Sequence, residues 1–203
     1  REVGSGGAQN VRLIKLNLSS NEITSSGAER IALVLPKFQG LKELYLYHNP
    51  LIGDQGAKAF SRLFNQGRFG MDKGVRLLNL AACQIGDAGC RSLMTELEHH
   101  NKVLRSLDLS CNIITRESAA SVVKVISSSA SALQTLVLSM NKISSEGILE
   151  LAEGVAANLN GSLDEIDVSS QMPVYAGASE PGLLGQDVPC LSGAQGAKVM
   201  MKL

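Results

Sequence analysis

The chain has 203 residues, 44% hydrophobic and 19% charged, with 19 basic against 19 acidic side chains. A formal charge of zero without a basic block argues against a nucleic-acid or anionic-membrane surface held by bulk charge, because such binding needs clustered Lys and Arg. No apolar run approaches the roughly 20 residues that cross a bilayer, and Arg1 to Asn10 has neither the basic start nor the apolar stretch of a signal peptide.

Aromatic residues make up only 3% and Trp is absent, so aliphatic side chains must form the core. Cys83, Cys90, Cys111 and Cys190 form no CxxC pair and have no His at ligand spacing. That pattern points to reduced, buried thiols in a cytoplasmic chain, with no metal site and no disulfide framework.

In chain order, one pattern returns six times. The first copy places Leu13, Leu16 and Leu18 before Asn21 and Ile23; the second places Leu41, Leu44 and Leu46 before Asn49 and Leu51. Val75, Leu78, Leu80, Cys83 and Ile85 form the third copy. Leu104, Leu107, Leu109, Asn112 and Ile114 form the fourth, and Leu133, Leu136, Leu138, Asn141 and Ile143 the fifth. A weaker sixth copy has Leu163, Ile166, Val168 and Gln171. The polar position recurs at intervals of 28, 34, 29, 29 and 30, a unit of about 29 residues with one insertion.

Between these motifs the period changes from strand to helix. Ala28, Ile31, Ala32 and Leu35 stand at i, i+3, i+4 and i+7, one apolar helical face. The same phase returns as Cys90, Leu93, Met94, Leu97, then Ala119, Val122, Val123, Ile126, then Ile148, Leu151, Ala152, Val155. Gly27, Gly56, Gly89, Ser118 and Gly147 precede the helical faces, small enough for each helix to start close against the strand layer. Thr24, Asp54, Asp87, Thr115 and Ser144 are read as caps of the free amides in each first turn.

The motif L-x-x-L-x-L-x-x-N/C-x-L resembles the leucine-rich repeat, and a unit of 28–29 residues with a full helix resembles its ribonuclease-inhibitor-like class; the resemblance covers residues 11 to 171. It implies an α/β solenoid, a horseshoe arc with a parallel β-sheet on the concave side and α-helices on the convex side. The whole chain, 1–203, is read as one such domain, with strand motifs near 13–23, 41–51, 75–85, 104–114, 133–143 and 163–171.

Two segments break the period. Asn65–Gly74 is an insertion loop carrying Arg68 and Phe69, and its glycines follow a helix and enter a strand, the reverse of a phosphate loop. Residues 172–189, with Pro173, Pro181 and Pro189, form a second insertion, after which Leu191–Leu203 aligns without a gap on Leu51–Leu63, giving a final helix at 193–203. Gln171 departs from the Asn pattern where that insertion starts, so regularity is expected to fail there. Neither end shows the polar cap that a solenoid needs. The expectation is a piece of a longer protein, or self-association through uncapped ends.

Strand side chains between the leucines must alternate to the open face of the sheet. The central row there is Asn17, Tyr45, Asn79, Asp108, Val137 and Asp167; a second is Ser19, Tyr47, Ala81, Ser110, Ser139 and Ser169. A third row is Ser20, His48, Ala82, Cys111, Met140 and Ser170, and an earlier one holds Lys15, Glu43, Leu77, Ser106, Thr135 and Glu165. Tyr45, Tyr47, His48, Asn79, Asp108, Val137 and Asp167 are the candidate partner-binding residues, with the two tyrosines as the hot spot. Asn21, Asn49, Cys83, Asn112 and Asn141 are assigned to a structural ladder, since an amide can both donate to and accept from backbone groups of adjacent turns.

His99 and His100 suit the negative end of a helix dipole, and no Ser/His/Asp grouping, phosphate loop or paired-carboxylate spacing is present. The reading is therefore a non-enzymatic module that binds another protein, without cofactor, nucleic acid or membrane. The resemblance leaves two alternatives: a small-GTPase regulator like the Ran GTPase-activating protein, and a sensor or adaptor repeat domain of a larger multidomain protein.

Overall fold

The alternation of a two-residue and a 3.6-residue period leaves each unit with one apolar strand face and one apolar helix face, and stacking is the way both are buried. The computed structural model describes residues 13–38, 40–64, 74–157 and 162–172. The order is β1 (Lys15–Asn17), α1 (Ser25–Val34), β2 (Glu43–Tyr45), α2 (Gly53–Ser61), β3 (Leu77–Asn79), α3 (Asp87–His100), β4 (Ser106–Asp108), α4 (Ala119–Ser127), β5 (Thr135–Val137), α5 (Ser145–Ala157) and β6 (Glu165–Asp167). The six strands form one parallel sheet in sequence order. Its register aligns Leu16, Leu44, Leu78, Leu107, Leu136 and Ile166 across the strands.

These middle residues point into a continuous aliphatic interior shared with Leu46, Leu80, Leu93, Met94, Leu109, Ile126 and Leu138. Burial is nearly complete in the middle units, where Val75 and Val123 are the partly buried exceptions, and partial at the ends. Leu13, Leu16, Leu18 and Ile31 at one end, and Ile148 and Val168 at the other, are only partly buried against the core. A unit with one neighbour covers one side of its leucines, as the one-dimensional logic of a solenoid requires.

The polar position forms a hydrogen-bonded ladder. The Asn49 amide donates to Leu46 O (2.8 Å) and Leu18 O (3.0 Å) and accepts from Ile23 N. Asn141 donates to Leu109 O and Leu138 O and accepts from Ile114 N. In the third unit the Cys83 thiol donates to Leu46 O at 3.2 Å, and Asn112 of the next unit accepts from Cys83 N and Ile85 N. Asn21, in the first unit, is exposed and, among the described residues, donates to Leu18 O and Ser19 O of its own turn.

Gln171 corrects the expected loss of regularity. Its amide donates to Leu138 O (2.9 Å) and Val168 O (3.1 Å) and accepts from Ile143 N (3.0 Å), the contacts an Asn makes elsewhere in the ladder. The head group is chemically the same, and the additional methylene does not prevent it from reaching these partners. Met172 N still donates to Asn141 O, so the ordered pattern includes the first residue of the expected 172–189 insertion. The rest of that insertion, the 193–203 helix and Arg68 and Phe69 lie outside the described residues.

The second unit is corrected as well. Leu51 is 55% exposed, whereas Ile52 is fully buried and takes the core position. Two residues, Pro50 and Leu51, instead of one separate Asn49 from that position, and Gly53, at φ +55°, follows where the chain enters α2. Only glycine takes such a backbone angle at no steric cost.

The capping assignments divide. Thr24 accepts from Gly27 N, Thr115 from Glu117 N and Ser144 from Gly147 N, each at the start of its own helical segment. Asp54 and Asp87 instead lie inside the first turns of α2 and α3 and reach forward to the next unit. Asp54 accepts from Gly86 N (2.7 Å) and Gly89 N (3.0 Å); Asp87 accepts from Thr115 N and the Thr115 and Ser118 hydroxyls. At the start of α3 the capping position is Gly86, which has no side chain, so a carboxylate from the preceding unit supplies the acceptor. Asp54→Ala is therefore expected to cost roughly 1.5–3 kcal/mol, as for hydrogen bonds to a charged group. Urea unfolding would measure it, and a loss below about 0.5 kcal/mol would show that the inter-unit cap contributes nothing.

Candidate protein-binding surface

The sheet register places the open-face rows by backbone pairing. Lys15, Glu43, Leu77, Ser106, Thr135 and Glu165 lie side by side, as do Asn17, Tyr45, Asn79, Asp108, Val137 and Asp167. The third expected row does not continue the pleated sheet. Ser20, His48, Ala82, Cys111, Met140 and Ser170 all have φ between +53° and +57° and form the left-handed turn that leads each strand into its ladder residue. His48 is exposed on that turn at the rim of the sheet.

Within the central row the polar residues have a local task that periodicity does not reveal. Asn17, Asn79, Asp108 and Asp167 each accept from the backbone N–H two residues ahead, on Ser19, Ala81, Ser110 and Ser169, at 2.9–3.0 Å. This short side-chain turn helps fix the chain as it leaves the strand. Asp108 is further engaged, receiving the Asn79 amide at 2.9 Å and the Ser110 hydroxyl at 2.7 Å. The repeated Asn/Asp followed two residues later by Ser or Ala was the signal in the sequence. Tyr45 and Val137 occupy the same row and cannot make that turn with their side chains.

Tyr45 belongs to a small cluster spanning β1 and β2. Its hydroxyl donates to Glu43 at 3.0 Å, and the Lys15 ammonium lies 4.4 Å from the ring centroid and 3.4 Å from the same carboxylate. The Tyr45 oxygen, and after it Glu43, raises the Lys15 pKa above its ordinary value. Because Lys15 is mostly exposed and Glu43 more than a third exposed, their ion pair adds little stability. Its effect is on shape and charge, holding the ring with a cation over its face. Tyr47, half-buried, stands two residues further along the chain; beside it in the next unit is the small Ala81. Acidic Glu165 and Asp167 lie at the other end of the sheet and are half-buried.

The described cysteines do not behave alike. Cys83 and Cys90 are buried free thiols, and burial pushes both up to about 12, so they remain protonated at neutral pH. Cys111 is not a free thiol, contrary to the expectation for all four cysteines, and Cys190 lies outside the described residues. His100 pairs with Glu96 at 2.9 Å at the end of α3, beside His99. Among the described residues no group of His, Cys, Asp and Glu is arranged to hold a metal ion, and no helix is long and apolar enough to cross a membrane.

Comparison with known proteins agrees with this architecture. The family model described as Leucine Rich repeat matches residues 9–32, 41–61, 75–94, 100–123 and 131–152. Ribonuclease inhibitor of Mus musculus is 31% identical over 127 residues, 63% of this chain and 26% of that protein. The Sus scrofa ribonuclease inhibitor is 31% identical over 161 residues, covering 78% of this chain and 33% of its own. The NACHT, LRR and PYD domains-containing protein 3 of Rattus norvegicus is 33% identical over 126 residues, 62% of this chain and 12% of that protein. The chain thus spans a third or less of the length of these curated relatives. Among solved structures, Leiomodin-1 Actin-Binding Site 2 superposes with a TM-score of 0.50 at 15% identity, over 71% of this chain and 80% of that one, a likeness of fold alone. With five matched repeats, a buried ladder of amide side chains and one parallel sheet backed by helices, the chain belongs to the leucine-rich repeat family, in its ribonuclease-inhibitor-like class.

Proposed function

We propose that the chain is a non-enzymatic protein-interaction module whose open sheet face binds a partner protein around Tyr45 and Tyr47, with His48 at the rim and Asn79, Asp108, Val137 and Asp167 extending the surface. The observation that carries this reading is the pair of half-buried tyrosines, Tyr45 at the end of β2 beside Asn79 and Tyr47 two residues on beside Ala81, on a sheet face that no described element covers. Large rigid rings with a polar tip concentrate binding energy, and small neighbours leave room for a partner's side chain. Asn79 and Asp108 serve as a fixed polar floor, since their hydrogen bonds are already made within the sheet. The ribonuclease inhibitors and the actin-binding site of leiomodin support a protein as the partner class. The identity to the multidomain NACHT, LRR and PYD protein favours a recognition unit within a larger protein.

The test is the double variant Tyr45→Ala, Tyr47→Ala. Its stability should fall by only about 1–3 kcal/mol, because what is lost is the half-buried area of two rings together with a partly solvated hydrogen bond and a cation–π contact. Affinity for a captured partner should drop at least about thirtyfold, the loss of one strong hot spot. Lys124→Ala, on the exposed side of α4, serves as the control. Partner capture that is equal in all three proteins would remove the tyrosines from the site.

A further inference from the structure

An apolar groove opens between α5 and β6, lined by Ile148, Leu151, Ala152, Val155, Ile166 and Val168. Ile148, Ala152 and Val168 are only half-buried. In every earlier unit the next helix packs against its predecessor, α2 on α1, α3 on α2, α4 on α3 and α5 on α4, and covers the equivalent surface. Beyond β6 no helix follows among the described residues.

The sequence contains a matching segment. Leu191–Leu203 aligns without a gap on Leu51–Leu63, with seven residues shared, among them the run Gln-Gly-Ala-Lys. The second unit shows which of those positions are buried. Around α2, Gly56, Ala57, Ala59, Phe60, Ser61 and Leu63 are buried, and Gln55, Lys58 and Arg62 are exposed. Transferred to the C-terminal segment, the buried positions from 56 onward carry Gly196, Ala197, Val199, Met200, Met201 and Leu203, all apolar or glycine, whereas the buried Ile52 before α2 maps onto Ser192. The exposed positions within the helix carry Gln195, Lys198 and Lys202, all polar, and the exposed Leu51 before it maps onto Leu191. The segment therefore has the apolar face that a solenoid helix needs, in the same phase as α2.

We propose that residues 191–203 of this chain fill the groove between α5 and β6 as the helix of the sixth repeat, and that the stretch after Met172 is an excursion leaving the solenoid and returning to it. The reading is independent of which partner the open sheet face binds.

Hydrogen exchange and thermal unfolding of the full chain test it, compared with the chain cut after Pro189 and with Met200→Asp and Lys198→Asp. Cutting the chain, or placing a charge at position 200, should accelerate amide exchange across Ile148–Val155 and lower Tm by roughly 5 °C or more, leaving α3 protected as an internal check that the solenoid is folded. Lys198→Asp, on the exposed face, should change neither. Two results would overturn the proposal: position 200 and position 198 variants that both match the parent, or α5 protection that rises with protein concentration equally in the full and cut chains, which would identify a second copy as the occupant.

Discussion

Asn112→Ala is expected to lower the unfolding free energy by roughly 3–6 kcal/mol, because it orphans two buried backbone amides at about 1–3 kcal/mol each and removes the donor for three carbonyls. Asn112 is 1% exposed, so water cannot replace the lost amide. Its side chain accepts from Cys83 N at 3.0 Å and Ile85 N at 2.9 Å, and donates to Leu80 O, Leu109 O and Ser110 O. It thereby ties the third unit to the fourth, and its removal loosens both. Asn112→Cys should fall between parent and alanine: a thiol can donate to a carbonyl as Cys83 does, but is a poor acceptor for the two amides. Urea unfolding gives the comparison. A loss below about 1 kcal/mol for Asn112→Ala would mean that the ladder follows the fold and does not hold it.

The recurring leucines were legible in the sequence because strand side chains have a strict period of two: a shift of one residue would send a whole row to the wrong face. The same regularity identified Asn112 and Asn141 as ladder residues, since one role repeated at one spacing is a structural role. Where two readings satisfied the pattern equally, the sequence did not choose. Both Leu51 and Ile52 are aliphatic and follow Asn49, and only packing shows that Ile52 enters the core. Contacts between units were invisible for another reason. Asp54 reaches Gly86 and Gly89, 32 and 35 residues away, whereas a sequence window suggests a cap for its own helix. The tyrosine pair could be read directly, but the Lys15 and Glu43 around Tyr45 required the register that pairs β1 with β2.

Gly89→Val should cost about 2.5–6 kcal/mol, combining overpacking at roughly 1–3 kcal/mol with the loss of charge-assisted hydrogen bonds worth about 1.5–3 kcal/mol. A Cβ at position 89 would lie 2.6 Å from the Asp54 carboxylate, 2.9 Å from Asp54 Cα and 2.9 Å from Ile85 Cγ2. The carboxylate could rotate away, but the backbone of α2 could not, so α3 must move outward and abandon the Asp54 contacts to Gly86 N and Gly89 N. The two residues should then be coupled. In the Asp54→Ala background the Gly89→Val change should cost less than in the parent by about 1 kcal/mol or more, since the cap is already gone. Strict additivity of the two losses would show that the helix start is fixed by Ile85 packing alone, and that the carboxylate from the preceding unit is a bystander.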